Sequence, residues 1–595
     1  MICRADWRLP ALALVALALI PPLAAASGGD PLDKARAAIE RGHGIAAEVA
    51  VDEVRRAGAP RDRIAALMGE AELLQGHLDK AREWLAPGIF AAADRERGFH
   101  ALGQLEMAEG DLDAARQAFD RALEQSPGSA ALWVDIGRMR YRAGEQHQAL
   151  DAAEKALEAD PREPRALEFR AQLERDSGGL VAALPWFERA LAQAPDDLGL
   201  LAGYAATLGD AGRARDMLKV ARRMLEIDSR DPRAYYLQAV LAARGGQDAL
   251  ARRLLWRTGD AYDGVPATML LRGVLELRTG NAALAVEQFD QLVRAQPDNL
   301  TAALLFGRAL LAHGEGNEVV ARLAPLAQRA DASPYLLTLV GRAYEQLGRR
   351  AEAAPYLDRA AAGLPRALSV LPLAPGGELA IWQWRDDPDR PEAAVALLRE
   401  ALAQGQAVDA STRAARLLQR YPGSADVAVL AGDVALLTGD PVGAAARNAS
   451  AAAIRRDRPL VLRMAAAEEA GGDAAGAQAV LADYLAQNPQ DGPVAARLGR
   501  MAADRGEWQR AGALLAYAAS LGSGPGDPYL LADLAVAEGR LGKSAAALAS
   551  ARRAYALQRA NGSIAGILAR SLQAAGGSER AVAALRARAA AQAGS

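Results

Sequence analysis

Few residues of this chain have the types and spacing that chemistry would need. Gly542, Lys543 and Ser544 resemble the end of a phosphate-binding loop, in which consecutive amides cradle phosphate and a lysine reaches toward it. That loop also requires a glycine five residues before Gly542 and a strand in front. Residue 537 is alanine, and the segment leading to it has a helical pattern, so the triplet reads as a turn. Gly522, Gly524 and Gly526 likewise follow no strand and read as a loop. His43, His77, His100, His147 and His313 show no H-E-x-x-H and no second ligand at fixed spacing, so no metal site is expected. There is no G-x-S-x-G elbow, and the only cysteine, Cys3, lies in a segment expected to be removed. Carboxylates are spread over what read as solvent faces, with no isolated pair suited to acid-base work. The expectation is a protein that is not an enzyme and that carries no cofactor.

What the chain does specify is a repeated element. Residues 129–161 read as two short helices and a tight turn. Trp133, Ile136 and Tyr141 lie near one face of the first helix, and Ala149, Ala153, Ala156 and Leu157 keep helical spacing on the second. Gly144 between them supplies the positive φ that a reversing helix needs, and Pro161 closes the unit. Steps of 34 from Gly42 meet Gly76, Gly110, Gly144, Gly178, Gly212, Gly246, Gly280, Gly314 and Gly348 without a skip. Small residues recur at the eighth position of each unit (Gly69, Gly103, Gly137, Gly273, Gly307, Gly341) and alanine at the twentieth. They let the two helices approach closely. Phe119, Phe187, Phe289 and Leu357 recur at the twenty-fourth and are expected to fill the space between neighbouring hairpins.

This frame covers residues 28–367. Phase is lost over residues 368–390, which hold Trp382 and Trp384 and read as a degenerate repeat or a hinge. It resumes less regularly over residues 391–595, with turn glycines at Gly405, Gly439, Gly472, Gly506, Gly542 and Gly576 and an Ala- and Arg-rich end expected to form a cap. Ahead of the array, Arg4 and Arg8 precede an apolar run over residues 9–20, and Ala24, Ala25 and Ala26 fit a cleavage site. Residues 1–26 are therefore expected to be a secretory signal peptide, with an uncleaved anchor as the alternative and a periplasmic or secreted product. The run is short for a membrane span, and no second hydrophobic segment follows. The formal net charge of -3 gives no electrostatic footprint for nucleic acid.

The pattern resembles the tetratricopeptide repeat. Leu102, Gly103, Gly110, Ala115, Phe119, Ala122 and Pro127 match the family pattern, as do Trp133, Gly137, Gly144, Ala149, Ala156 and Pro161. The resemblance implies an all-α, right-handed superhelical solenoid of about sixteen hairpins, whose first helices form a concave wall that holds extended peptides or helices. The family's groove positions fall here on His100, Gln104, Arg138, Tyr141, Arg142, Gln172, Arg175, Tyr236, Arg308 and Arg342, with Arg97, Glu168, Arg244 and Arg278 beside them. Arginine with tyrosine suits an acidic or carbohydrate-bearing partner. In length and in Ala- and Leu-rich style the chain also resembles the secreted repeat protein of exosortase exopolysaccharide systems. Both resemblances imply a scaffold for protein partners in the bacterial envelope, with direct guidance of a secreted polysaccharide as the alternative.

Overall fold

A computed structural model describes residues 30–329, 332–362, 391–521 and 527–593. Residues 1–26, expected to be a signal segment, residues 368–390, expected to be a degenerate repeat or hinge, and residues 522–526, expected to be a loop, lie outside the described residues. Among those described, the chain is all α with two short 3-10 turns and no strand. Its helices pair into sixteen hairpins, ten from Pro31–Glu40 to Arg350–Ala361 and six from Pro391–Ala403 to Glu579–Ala593. They are numbered here as units 1 to 16 in chain order. Each hairpin packs mainly on itself and on the next one, so the core is a string of local clusters rather than one interior.

Local chemistry sets the ends of each helix. First helices start behind short polar caps: the Ser129 hydroxyl accepts from the Leu132 amide, Asn299 from Ala302, and Asp457 from Leu460. They end one or two residues before a glycine at positive φ, as at Gly144 (φ 79°) and Gly542 (φ 73°). Lys543 is the N-cap residue of Ser544–Leu557, which makes the Gly-Lys-Ser triplet an inter-helix turn. Gly178 departs from the expected series. Its φ is -87°, and the left-handed residue is Gly179 at 106°. The first helix of unit 5 runs on to Ser177, and the adjacent glycine pair lets the reversal move by one residue.

Close packing follows the small and large positions. A Cβ on Gly103 would sit 2.4 Å from the Phe119 ring, one on Gly273 2.6 Å from Phe289, and one on Gly307 2.3 Å from Leu323. The large group thus seats on the glycine of its own hairpin, and Phe119 also packs with Leu132 and Ile136 of the next. In unit 4 the twenty-fourth residue is Ala153, and Phe169 of unit 5 reaches back instead, 2.5 Å from a Cβ on Gly137. Units 2 and 7 are irregular. Their second helices are short (Leu78–Leu85, Asp248–Trp256), and the 3-10 turns Ala92–Asp94 and Gly259–Tyr262 follow. Pro87 halts the first of these, and Phe90 then folds over Gly98.

Candidate partner-binding wall

Side chains from consecutive first helices meet through units 2 to 5. In units 3 to 5 they form a ladder of polar pairs. Arg97 donates to Glu70 in the preceding unit at 2.9 Å. Asp135, only 2% exposed although flanked by Val134 and Ile136, accepts from His100 Nε2 at 2.8 Å, Gln104 Nε2 at 2.7 Å and Arg165 Nη2 at 2.9 Å. Burial opposes ionisation of Asp135, but Arg165, His100 and Arg138 together hold its carboxyl well below the usual range. Arg138 lies between Asp135 and Glu168, at 3.8 and 3.4 Å, and Glu168 also accepts from Gln172 at 3.1 Å. The Tyr141 hydroxyl donates to Asp176 at 2.5 Å, and burial together with that carboxylate raises its pKa. Arg175 has no hydrogen-bond or ion-pair partner among the described residues, although its charge bears on Tyr141.

The thirteenth position has a separate job in units 4, 7, 8 and 10. Arg142 donates to the Met107 carbonyl at 3.1 Å, Arg244 to Gly209 at 2.6 Å, Arg278 to Ala243 at 2.8 Å and Gln346 to Leu311 at 3.3 Å, each 35 residues back. Those carbonyls lie in the last turn of the preceding first helix, where backbone acceptors lack the usual intrahelical partner and positive charge is favoured. Arg142, placed among the groove residues on sequence grounds, is therefore a cap on its neighbour.

Tyr236 also differs from expectation. It is 4% exposed and stacks on Tyr262, with ring centroids 5.1 Å apart. The irregular Gly259–Tyr262 turn of unit 7 brings Tyr262 over it, and burial raises its pKa. It offers no surface to a ligand. Arg308 and Arg342 stay exposed. Arg342 pairs with Glu345 at 2.5 Å on its own helix, whereas Arg308 has no hydrogen-bond or ion-pair partner among the described residues. On the first helices of the same units Leu270, Val274, Leu277, Leu304 and Leu311 are partly buried against one core cluster, and Tyr335 is 48% exposed.

Sequence reasoning did not single out Asp135, Arg165 or Asp176, and it placed acidic groups on solvent faces. Asp135, Asp231 and Asp433 are buried and paired with Arg165, Arg233 and Arg463. An aspartate inside an apolar stretch, as in Trp133-Val134-Asp135-Ile136, was the available signal. Among the described residues no group of three or more His, Cys, Asp or Glu is placed to hold a metal ion. Among the same residues no helix is long and apolar enough to cross a membrane.

Fold and wall together define an array of helical hairpins. Two family models described as the tetratricopeptide repeat match residues 106–173 and 270–335. Among solved structures the chain is similar to one from the APC/C hetero-tetramer Cut9-Hcn1, at 14% identity and TM-score 0.32, covering 88% of this chain and 99% of that one. It is similar to PilF of Pseudomonas aeruginosa at 17% identity and TM-score 0.31, covering 36% and 95%. It is also similar to YrrB, described as a TPR protein with an unusual peptide-binding site, at 22% identity and TM-score 0.24, covering 31% and 95%. No curated protein matches the chain. The hairpins over residues 106–173 and 270–335 are thus similar to tetratricopeptide repeats.

Proposed function

We propose that the chain is a non-catalytic scaffold of the bacterial envelope that seats a protein partner on the first-helix wall of units 8 to 10. The observation that carries this reading is the exposed guanidinium of Arg308, which has no hydrogen-bond or ion-pair partner among the described residues and stands one helical turn from the half-buried Leu304 and Leu311. In units 3 to 5 the polar groups of the wall largely satisfy one another, so a ligand there would have to break existing bonds. The first helices of units 8 to 10 instead carry exposed Arg308, Arg342 and Tyr335 together with the partly buried Leu270, Leu277, Leu304 and Leu311. That combination fits a peptide or helix presenting apolar side chains and a carboxylate. The basic and apolar N-terminal residues support delivery outside the cytoplasm. The style of the array supports service in exopolysaccharide export or protein sorting.

The test places a photoreactive residue at Arg308 or Tyr335, with Val408, an exposed second-helix residue, as control. Adducts with one protein of the envelope fraction are expected from the wall positions. Adducts arising only from Val408 would remove the basis for the reading.

A further inference from the structure

Most turn glycines face open space. A Cβ built on Gly110, Gly246, Gly280, Gly314 or Gly348 meets nothing within 4 Å. Two turns in units 5 and 6 are different. A Cβ on Gly179 would lie 2.7 Å from Gln487 Cβ, and one on Gly212 would lie 2.4 Å from Gln490 Nε2. Reciprocally, Gly423, buried in the turn between units 11 and 12, would place a Cβ 2.5 Å from Gln148 Oε1. Backbone bonds accompany these approaches. The Ala425 amide donates to Gln146 Oε1 at 3.0 Å across 279 residues, and the Arg456 amide donates to the Asp176 carbonyl at 2.7 Å. Pairs 176/456 and 212/490 keep the 279-residue offset of 146/425 to within one residue, so the edges of units 4 to 6 and of units 12 to 14 run side by side in register there. Farther on, Gln558 and Asn561 donate to the Ala360 and Ala361 carbonyls at 3.2 and 3.0 Å.

The seam is made of amides: Gln146, Gln148, Gln487, Asn488 and Gln490. Every apolar cluster among the described residues draws on neighbouring units, and none bridges the seam. Two seam oxygens, Gln148 Oε1 and Gln487 Oε1, are buried with no hydrogen-bond partner among the described residues. Burying an unpartnered acceptor is unfavourable, and opening would return both to water. We propose that the turn edge of units 4 to 6 and the inter-unit turns of units 11 to 14 form a reversible clasp within one chain, closing beside Tyr141 and Asp176. Arg455 lies close enough for its charge to bear on the Tyr141 hydroxyl, so opening changes the surroundings of that end of the wall. The occupant of the edge is the later part of the same chain, because the register is continuous over three successive turns.

The test uses the absence of cysteine after residue 3. In the full chain with Cys3→Ser, Gln148→Cys with Gly423→Cys should give an intrachain link with a short bismaleimide. The adjacent-unit pair Arg116→Cys with Glu145→Cys serves as a positive control, its native side chains being 2.6 Å apart. The Arg456 and Ala425 amides have only seam acceptors among the described residues, so their hydrogen exchange reports opening. Linking should slow both at least about tenfold. A control that links while 148/423 does not would overturn the clasp, as would a 148/423 link joining two chains. Exchange unchanged by the link would overturn its reversibility.

Discussion

Arg142 Nη1 donates to the Met107 carbonyl of the neighbouring unit, 35 residues back and 3.1 Å away. The same contact recurs from Arg244, Arg278 and Gln346, so one face of the wall is stitched by side chains that finish the preceding helix. Replacing Arg278 with Ala should cost about 0.5 to 1.5 kcal/mol. The effect should appear as faster hydrogen exchange in the last turn of Pro232–Arg244, with Arg278→Lys restoring part of the protection.

The seats of Phe119 on Gly103 and Leu323 on Gly307 leave no room for a methyl group. Gly307→Ala should lower stability by about 1 to 3 kcal/mol through overpacking. Adding Leu323→Ala should then cost less than it does alone, because the new methyl occupies part of the emptied space. Urea denaturation of the four chains of that cycle measures the coupling.

Asp135 gives units 3 to 5 a pH dependence of definite sign. Its carboxyl is held below its unfolded value near 3.9, so its contribution is complete above that value and is lost as pH falls through the folded one. Amide exchange in Ala130–Arg142 should reveal destabilisation below about pH 4. Asp135→Asn should flatten that response and remove about 2 to 3 kcal/mol at neutral pH.

Asp433 should slope the other way. Burial pushes its carboxyl up to about 7 even though Arg463 pairs with it at 2.9 Å. Stability present below the unfolded value is therefore lost as pH rises from about 4 to about 7. Exchange in Ala425–Leu437 should quicken over that range, after correction for intrinsic rates. Asp433→Asn should abolish the trend.

The hairpins were legible because their requirements are local. A turn needs a residue that tolerates positive φ, and a close helix pair needs a residue without a side chain; both leave glycine at a fixed period. The wall was less legible because an arginine at a given position can cap a carbonyl, pair with a carboxylate or stay free, according to what the next unit offers. Arg138 and Arg308 share the ninth position of their units, yet Arg138 pairs with Asp135 and Glu168 while Arg308 has no hydrogen-bond or ion-pair partner among the described residues. Tyr236 is buried by Tyr262 from an irregular turn that no repeat frame anticipates. The amide seam left no local trace, since Gln148 and Gln490 are ordinary turn-edge residues until a segment hundreds of residues away meets them.

The proposed seat on units 8 to 10 is tested most directly by comparing the affinity of the crosslinked partner for the wild-type chain and for Arg308→Glu with Arg342→Glu. Reversing both charges should weaken binding at least about tenfold, about 1.4 kcal/mol, while helix content is unchanged. Affinity that survives this change but is lost on Arg175→Glu would contradict the account and move the seat to units 3 to 5.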